Sequence, residues 1–164
     1  MRIVRTVEIP SGISLADLYR EKVGDYPKFF KMDTLCKLGF LATELLLADE
    51  AGRFEFREDR AVLMFSRSGC VCDDRHYEDS IAEFPSPSLF VYTLPNVITG
   101  EIAIRNRFRG ETSAYVLDAF DRERIFAVVE EAFQDRITRS AVVGWIDCRS
   151  DADWTCQAYL IEKE

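Results

Sequence analysis

The hydrophobic pattern changes period several times along the chain, and each change marks an element. Residues 2–8 set Ile3, Val4 and Val7 among arginine and threonine, which predicts a short strand stopped by Pro10-Ser11-Gly12. Leu15, Leu18 and Tyr19 indicate a turn of helix, broken between Gly24 and Pro27. Over residues 33–48, Leu35, Leu38, Leu41 and Leu45 recur at helical spacing, and Cys36, Phe40 and Leu46 widen the stripe. Asp33 is the natural cap of this helix, and apolar residues around most of its circumference predict deep burial. The run Ala61–Ser66 is continuously apolar until Ser66-Arg67-Ser68-Gly69, as expected of a central strand covered on both faces. Residues 67–86 are polar and read as a long loop.

Ser86-Pro87 carries the start signals of a further helix, and Pro95 interrupts it. Val97, Ile98, Ile102, Ile104 and Phe108 then continue a helical stripe to Gly110. Residues 113–117 read as a strand. Asp121 caps an amphipathic helix with Ile125, Phe126, Val129 and Phe133 on one face. Residues 141–146 form a buried-type strand, 148–154 a polar turn and 155–161 the last strand. Alternating strands and helices predict an α/β fold over residues 1–164 as one domain, with a mainly parallel sheet between helix layers. The last two strands are joined too closely for a crossover, so they are expected to run antiparallel.

Charge narrows the function classes. The 164 residues carry 21 Lys plus Arg against 29 Asp plus Glu, a formal charge of −8, so neither a nucleic acid nor an anionic membrane is an expected partner. No apolar run is long enough to cross a bilayer, and residues 1–8 lack the apolar region of a signal peptide. A cytoplasmic location is therefore expected, with five free cysteines. Cys70, Cys72 and His76 stand beside Asp73 and Asp74. Thiolates, an imidazole and a carboxylate are the donors of a zinc tetrahedron, but no second ligand pair accompanies them. The segment reads as a polar loop, and no metal or other cofactor is expected. The acidic pairs Glu130-Glu131 and Glu162, Glu164 read as solvated faces.

Two segments carry a resemblance. Residues 30–39 contain Met32-Asp33 at the start of the helix over 33–48, and Pro85–Arg105 contains Pro95-Asn96 followed by Ile102-Ala103-Ile104-Arg105. Together they resemble β-ketoacyl-acyl-carrier-protein synthases of the thiolase-like superfamily, in which these runs open the first core helix and form the Pro-Asn helix. Ser66–Gly69 and Tyr77-Glu78 fit the loop between them. The resemblance is good over about residues 28–120 and extends in element order to residue 164. It implies a single half of that fold: a three-layer α/β/α unit whose five-stranded mixed sheet has one antiparallel strand. A working family member has two such halves.

The resemblance also implies where the chemistry would lie. The family's nucleophilic cysteine follows the strand after the equivalent of Gly110, at the tip of a helix. Here that position matches Ala119, or Asp118 with the register shifted by one, and no cysteine lies between 72 and 148. Neither residue forms a thioester, so no catalytic residue is expected at that position. The family's histidines belong to its second half, and His76 matches none of them. Arg105, Arg107 and Arg109 are the candidate contact for an acyl carrier protein, with a helix C-terminus as the plainer reason for them. Ser113, Ala114, Tyr115, Val116 and Leu117 match the family's edge strand, which pairs across a dimer axis. The implied reading is an inactive accessory protein of fatty-acid, polyketide or aryl-polyene-type synthesis. It would form a homodimer, or pair with a full-length ketosynthase or an acyl carrier protein. The alternatives are an acyl-transferring enzyme using Cys36, Cys70 or an acid as nucleophile, and a homodimeric scaffold without acyl chemistry.

Overall fold

The computed structural model describes residues 1–164. Its elements run β1 (Arg2–Glu8), α1 (Leu15–Lys22), a short 3₁₀ turn (Pro27–Lys31), α2 (Thr34–Leu46) and β2 (Arg60–Ser66). They continue α3 (Val71–Ile81), α4 (Pro87–Tyr92), α5 (Val97–Asn106), β3 (Thr112–Val116), α6 (Arg122–Ala132), β4 (Ser140–Ser150) and β5 (Asp153–Glu162). The five strands form one sheet in the order β1-β5-β4-β2-β3. β2 is parallel to β3 and β4, whereas β5 is antiparallel to both β4 and β1. One strand is thus antiparallel to the rest, as the short β4–β5 connection requires.

The two faces of the sheet are covered unequally. On one face, α1, α2 and α5 close a core of 26 buried residues over Val62, Met64, Val142, Ile146 and Leu160. On the other, α6 alone covers a cluster of 13 built on Leu63, Phe65, Val143 and Ile161. Neighbouring residues of β2 and β4 enter opposite cores, which is why their sequences are apolar without alternation. α2 is the centre of the larger layer: Asp33 accepts the N–H groups of Leu35 and Cys36 at its start, and ten of its 13 residues are buried. Gly39 is its point of closest approach to α5, where a Cβ would lie 2.4 Å from Ile98 Cδ1.

The structure corrects three expectations. The polar segment 67–86 contains the helix α3, which buries only Cys72 and Asp73 and therefore shows almost no apolar stripe. Asp73 and Asp74 in its first turn favour a helix N-terminus electrostatically. The turn between the last strands is tighter than 148–154: Cys148 and Trp154 are paired and buried strand residues, and only Asp151 and Ala152 lie between β4 and β5. The stripe to Gly110 ends at Asn106, because Arg107 takes a left-handed conformation with φ 58°. No helix is long and apolar enough to cross a membrane.

Candidate functional site at the C-terminal strand ends

The parallel strands β2, β3 and β4 deliver their following turns to one end of the sheet. After β2, the chain turns through Arg67, Ser68 and Gly69 into α3. The carboxylate of Asp147 on β4 is buried and accepts the N–H groups of Arg67 and Ser68 at 3.0 and 2.7 Å. The Ser66 hydroxyl accepts that of Gly69 at 3.2 Å. These bonds give the backbone donors of the turn their partners.

The turn after β3 is built differently. Leu117 is buried and anchors the turn, while Asp118, Ala119 and Phe120 are exposed. Asp121 caps α6 by accepting the N–H of Arg124 at 3.0 Å, and Phe120 meets Trp145 edge to face at 5.6 Å. Ala119, the residue matched to a nucleophile, presents a methyl group. Asp118 is not the cap of α6, which leaves its carboxylate free of that role. β3 itself is an edge strand paired only with β2. Tyr115 stacks on Phe65 at 4.9 Å, and Leu117 joins the smaller core. Val116 points the other way and is exposed.

The thiols share one environment. All five cysteines are buried and unbridged. Burial, reinforced by Asp33, pushes the Cys36 thiol well up. The same two causes push Cys70 up to about 12. Burial likewise raises Cys148 and Cys72, and takes Cys156 to about 12. A nucleophilic thiolate needs the opposite environment.

Acidic groups gather beside α3. Asp33, Asp73, His76 and Asp151 line one cleft, with Thr34 and Tyr92. Burial, then the neighbouring Asp33 carboxylate, pushes the Asp73 carboxyl far above the usual range. A small apolar pocket is lined by Leu35, Met64, Ile98 and Tyr115. It has a volume of about 10 Å³, room for about one water.

The arginine trio is divided by the fold. The Arg105 side chain is only 11% exposed and is bound internally, to Asp25 at 2.6 Å and Glu44 at 3.2 Å. Its guanidinium also lies over the rings of Tyr26 and Phe54. Arg107 and Arg109 are exposed and frame a shallow cleft with Phe56 and Ile104. Sequence spacing put the three together, but only tertiary partners separate a half-buried, ion-paired cation from two exposed ones without an acidic partner.

No protein-family model matches the chain, and no curated protein matches it. Solved structures do. One is "Ketosynthase (ApeO) in Complex with its Chain Length Factor (ApeC) from Xenorhabdus doucetiae", with TM-score 0.68 and 14% identity over 99% of this chain and 79% of that chain. Another is "The ishigamide ketosynthase/chain length factor", with TM-score 0.71 and 18% identity over 93% of this chain and 48% of that chain. The chain therefore shares its fold with chains of these ketosynthase–chain length factor structures, and it spans about half the length of the second of them.

Proposed function

We propose that this chain is a catalytically inactive accessory subunit of a fatty-acid, polyketide or aryl-polyene-type synthesis system, which pairs with a full-length ketosynthase. The observation that carries this reading is the turn after β3. At the matched nucleophile position the chain offers the Ala119 methyl and the Asp118 carboxylate, and every thiol is buried. Acyl transfer has no group to begin on. Both structures compared above hold a ketosynthase with a chain length factor, which favours a role beside a ketosynthase over an independent one.

The pairing surface is the open edge of β3, Thr112–Val116; Leu117, expected to belong to it, lies past the strand and is buried in the smaller core. Its outer backbone groups are unpaired, and an apolar residue, Val116, stands exposed on it. A partner strand added there removes an aggregation-prone edge. Arg107 and Arg109 with Ile104 and Phe56 form the surface suited to an acidic carrier protein, while Arg105 supports the fold from within.

Intact-protein mass spectrometry after incubation with acyl and malonyl thioesters, with and without carrier protein, tests the inactive reading. An unchanged mass is expected. A stable adduct mapped to one cysteine overturns the reading in favour of a relocated nucleophile. Co-purification with a ketosynthase tests the pairing, and a homodimer that ignores the ketosynthase favours the scaffold reading.

A further inference from the structure

The helix α3 and the β4–β5 turn bring together three side chains that do not look like a set in the sequence. Cys72 and His76 are four residues apart on α3, so they share a face one turn apart. Asp151, at the tip of the β4–β5 turn, reaches the same place. The donor atoms of Cys72, His76 and Asp151 all lie within 4.8 Å of one another. His76 Nε2 is 3.5 Å from Asp151 Oδ2. In a zinc tetrahedron with bonds of about 2.0–2.3 Å, neighbouring donors are about 3.3–3.8 Å apart. The imidazole and carboxylate already stand at that separation, and small side-chain rotations would close the other two edges, both within 4.8 Å.

The groups around these donors are those that orient metal ligands. The second oxygen of Asp151, Oδ1, accepts the Thr34 hydroxyl at 2.5 Å, which aims Oδ2 at the imidazole. The other ring nitrogen of His76, Nδ1, faces the Asp73 carboxylate at 4.0 Å. The Asp73 side chain is 9% exposed, and His76 is the only basic group within 4.0 Å of it. Lys31 and Lys37 line the cleft without pairing with any of these acids. The cluster thus holds negative charge with no cation in contact except an imidazole. His76 and Asp151 are 43% and 62% exposed, so an ion there keeps a face open to water.

We propose that Cys72, His76 and Asp151 bind one divalent ion of borderline softness, zinc foremost, through three protein ligands and a water. On binding, the Cys72 thiol loses its proton to solvent and the neutral imidazole coordinates through Nε2. The thiolate and carboxylate then balance the two charges of the ion. A thiolate and an imidazole select zinc over magnesium or calcium, which take oxygen donors. The ion would clip α3 to the β4–β5 turn. This site is independent of the accessory role proposed above.

The test uses the full chain, kept reduced and stripped with a chelator, then titrated with Co²⁺ and Zn²⁺. One equivalent of Co²⁺ is expected to give a near-ultraviolet sulfur-to-metal charge-transfer band, and Zn²⁺ is expected to displace it. Cys72→Ser should abolish the band. His76→Ala and Asp151→Ala, at exposed positions that leave the fold intact by circular dichroism, should each weaken Zn²⁺ binding at least about tenfold. Asp153→Ala, in the same turn but outside the cluster, should bind as the natural chain does. The proposal fails if His76→Ala and Asp151→Ala hold Zn²⁺ unchanged, if Mg²⁺ or Ca²⁺ competes equally, or if the stripped chain takes up no ion.

Discussion

The two ends of strand β2 handle charge in opposite ways. At its N-terminal end, Arg60 is 2% exposed and is fully matched. Its two terminal nitrogens donate to the two Glu50 oxygens at 2.7 and 2.6 Å, and its Nε donates to Ser140 at 2.9 Å. Arg57 joins the network through Glu50 and Asp59. At the C-terminal end, Asp147 is used up in holding the β2–α3 turn, but Asp73 and Asp151 form no ion pair with a lysine or arginine. The first end is a closed structural network. The second leaves carboxylates and an imidazole without a lysine or arginine partner, at the strand ends where open α/β sheets bind their ligands. Asp73 and Asp151, which pair with no lysine or arginine, thus lie at the C-terminal end, while Arg57, Arg60, Glu50 and Asp59 close the N-terminal one.

The contrast can be broken from either side. The largest expected effect is at the closed end. Glu50→Gln leaves the Arg60 guanidinium buried without a counter-charge and should cost about 3 kcal/mol in urea unfolding at pH 7. Burial works to raise the Glu50 pKa, but Arg60, Arg57 and Arg53 outweigh it and hold the carboxyl below its usual value. A depressed folded pKa means stability that is present above the unfolded value and lost as pH falls through the folded one. The gap between the natural chain and Glu50→Gln should therefore narrow as unfolding is measured at progressively more acidic pH, below about 4.5.

Asp147→Ala opens the other end by leaving the N–H groups of Arg67 and Ser68 without acceptors. A loss of about 2 kcal/mol is expected in thermal or urea unfolding. Asp121→Ala removes the cap of α6 and should lower stability by about 1 kcal/mol. The smallest effect on stability, and the sharpest on chemistry, belongs to Ala119→Cys. Residue 119 is exposed, so unfolding should shift by less than about 0.5 kcal/mol. Native Ala119→Cys should take up one iodoacetamide at pH 8, against none for the natural chain, read by intact mass. A natural chain that labels as readily would contradict the protected state of its thiols.

Legibility followed the strength of the local signal. The helix α2 and the strands β2 and β4 were plain in the sequence, because a deeply buried element must be apolar at its own period. α3 was not plain, since a helix that buries two residues leaves no stripe to read. Arg105, Arg107 and Arg109 were equivalent on paper. Contacts with Asp25 and Glu44 from elsewhere in the chain removed Arg105 from the free surface.

By itself, the sequence determined the α/β class, the antiparallel last strand and the lack of a thiol near residue 119. The first two follow from hydrophobic period and connection length, and the third needs no coordinates at all. Only the tertiary structure decided the strand order that puts β3 at an edge, the burial of every cysteine, and the meeting of Cys72 and His76 with Asp151. Each of these depends on pairing between segments far apart in the chain. That pairing is selected by the packing of whole layers, and no local pattern of residues records it.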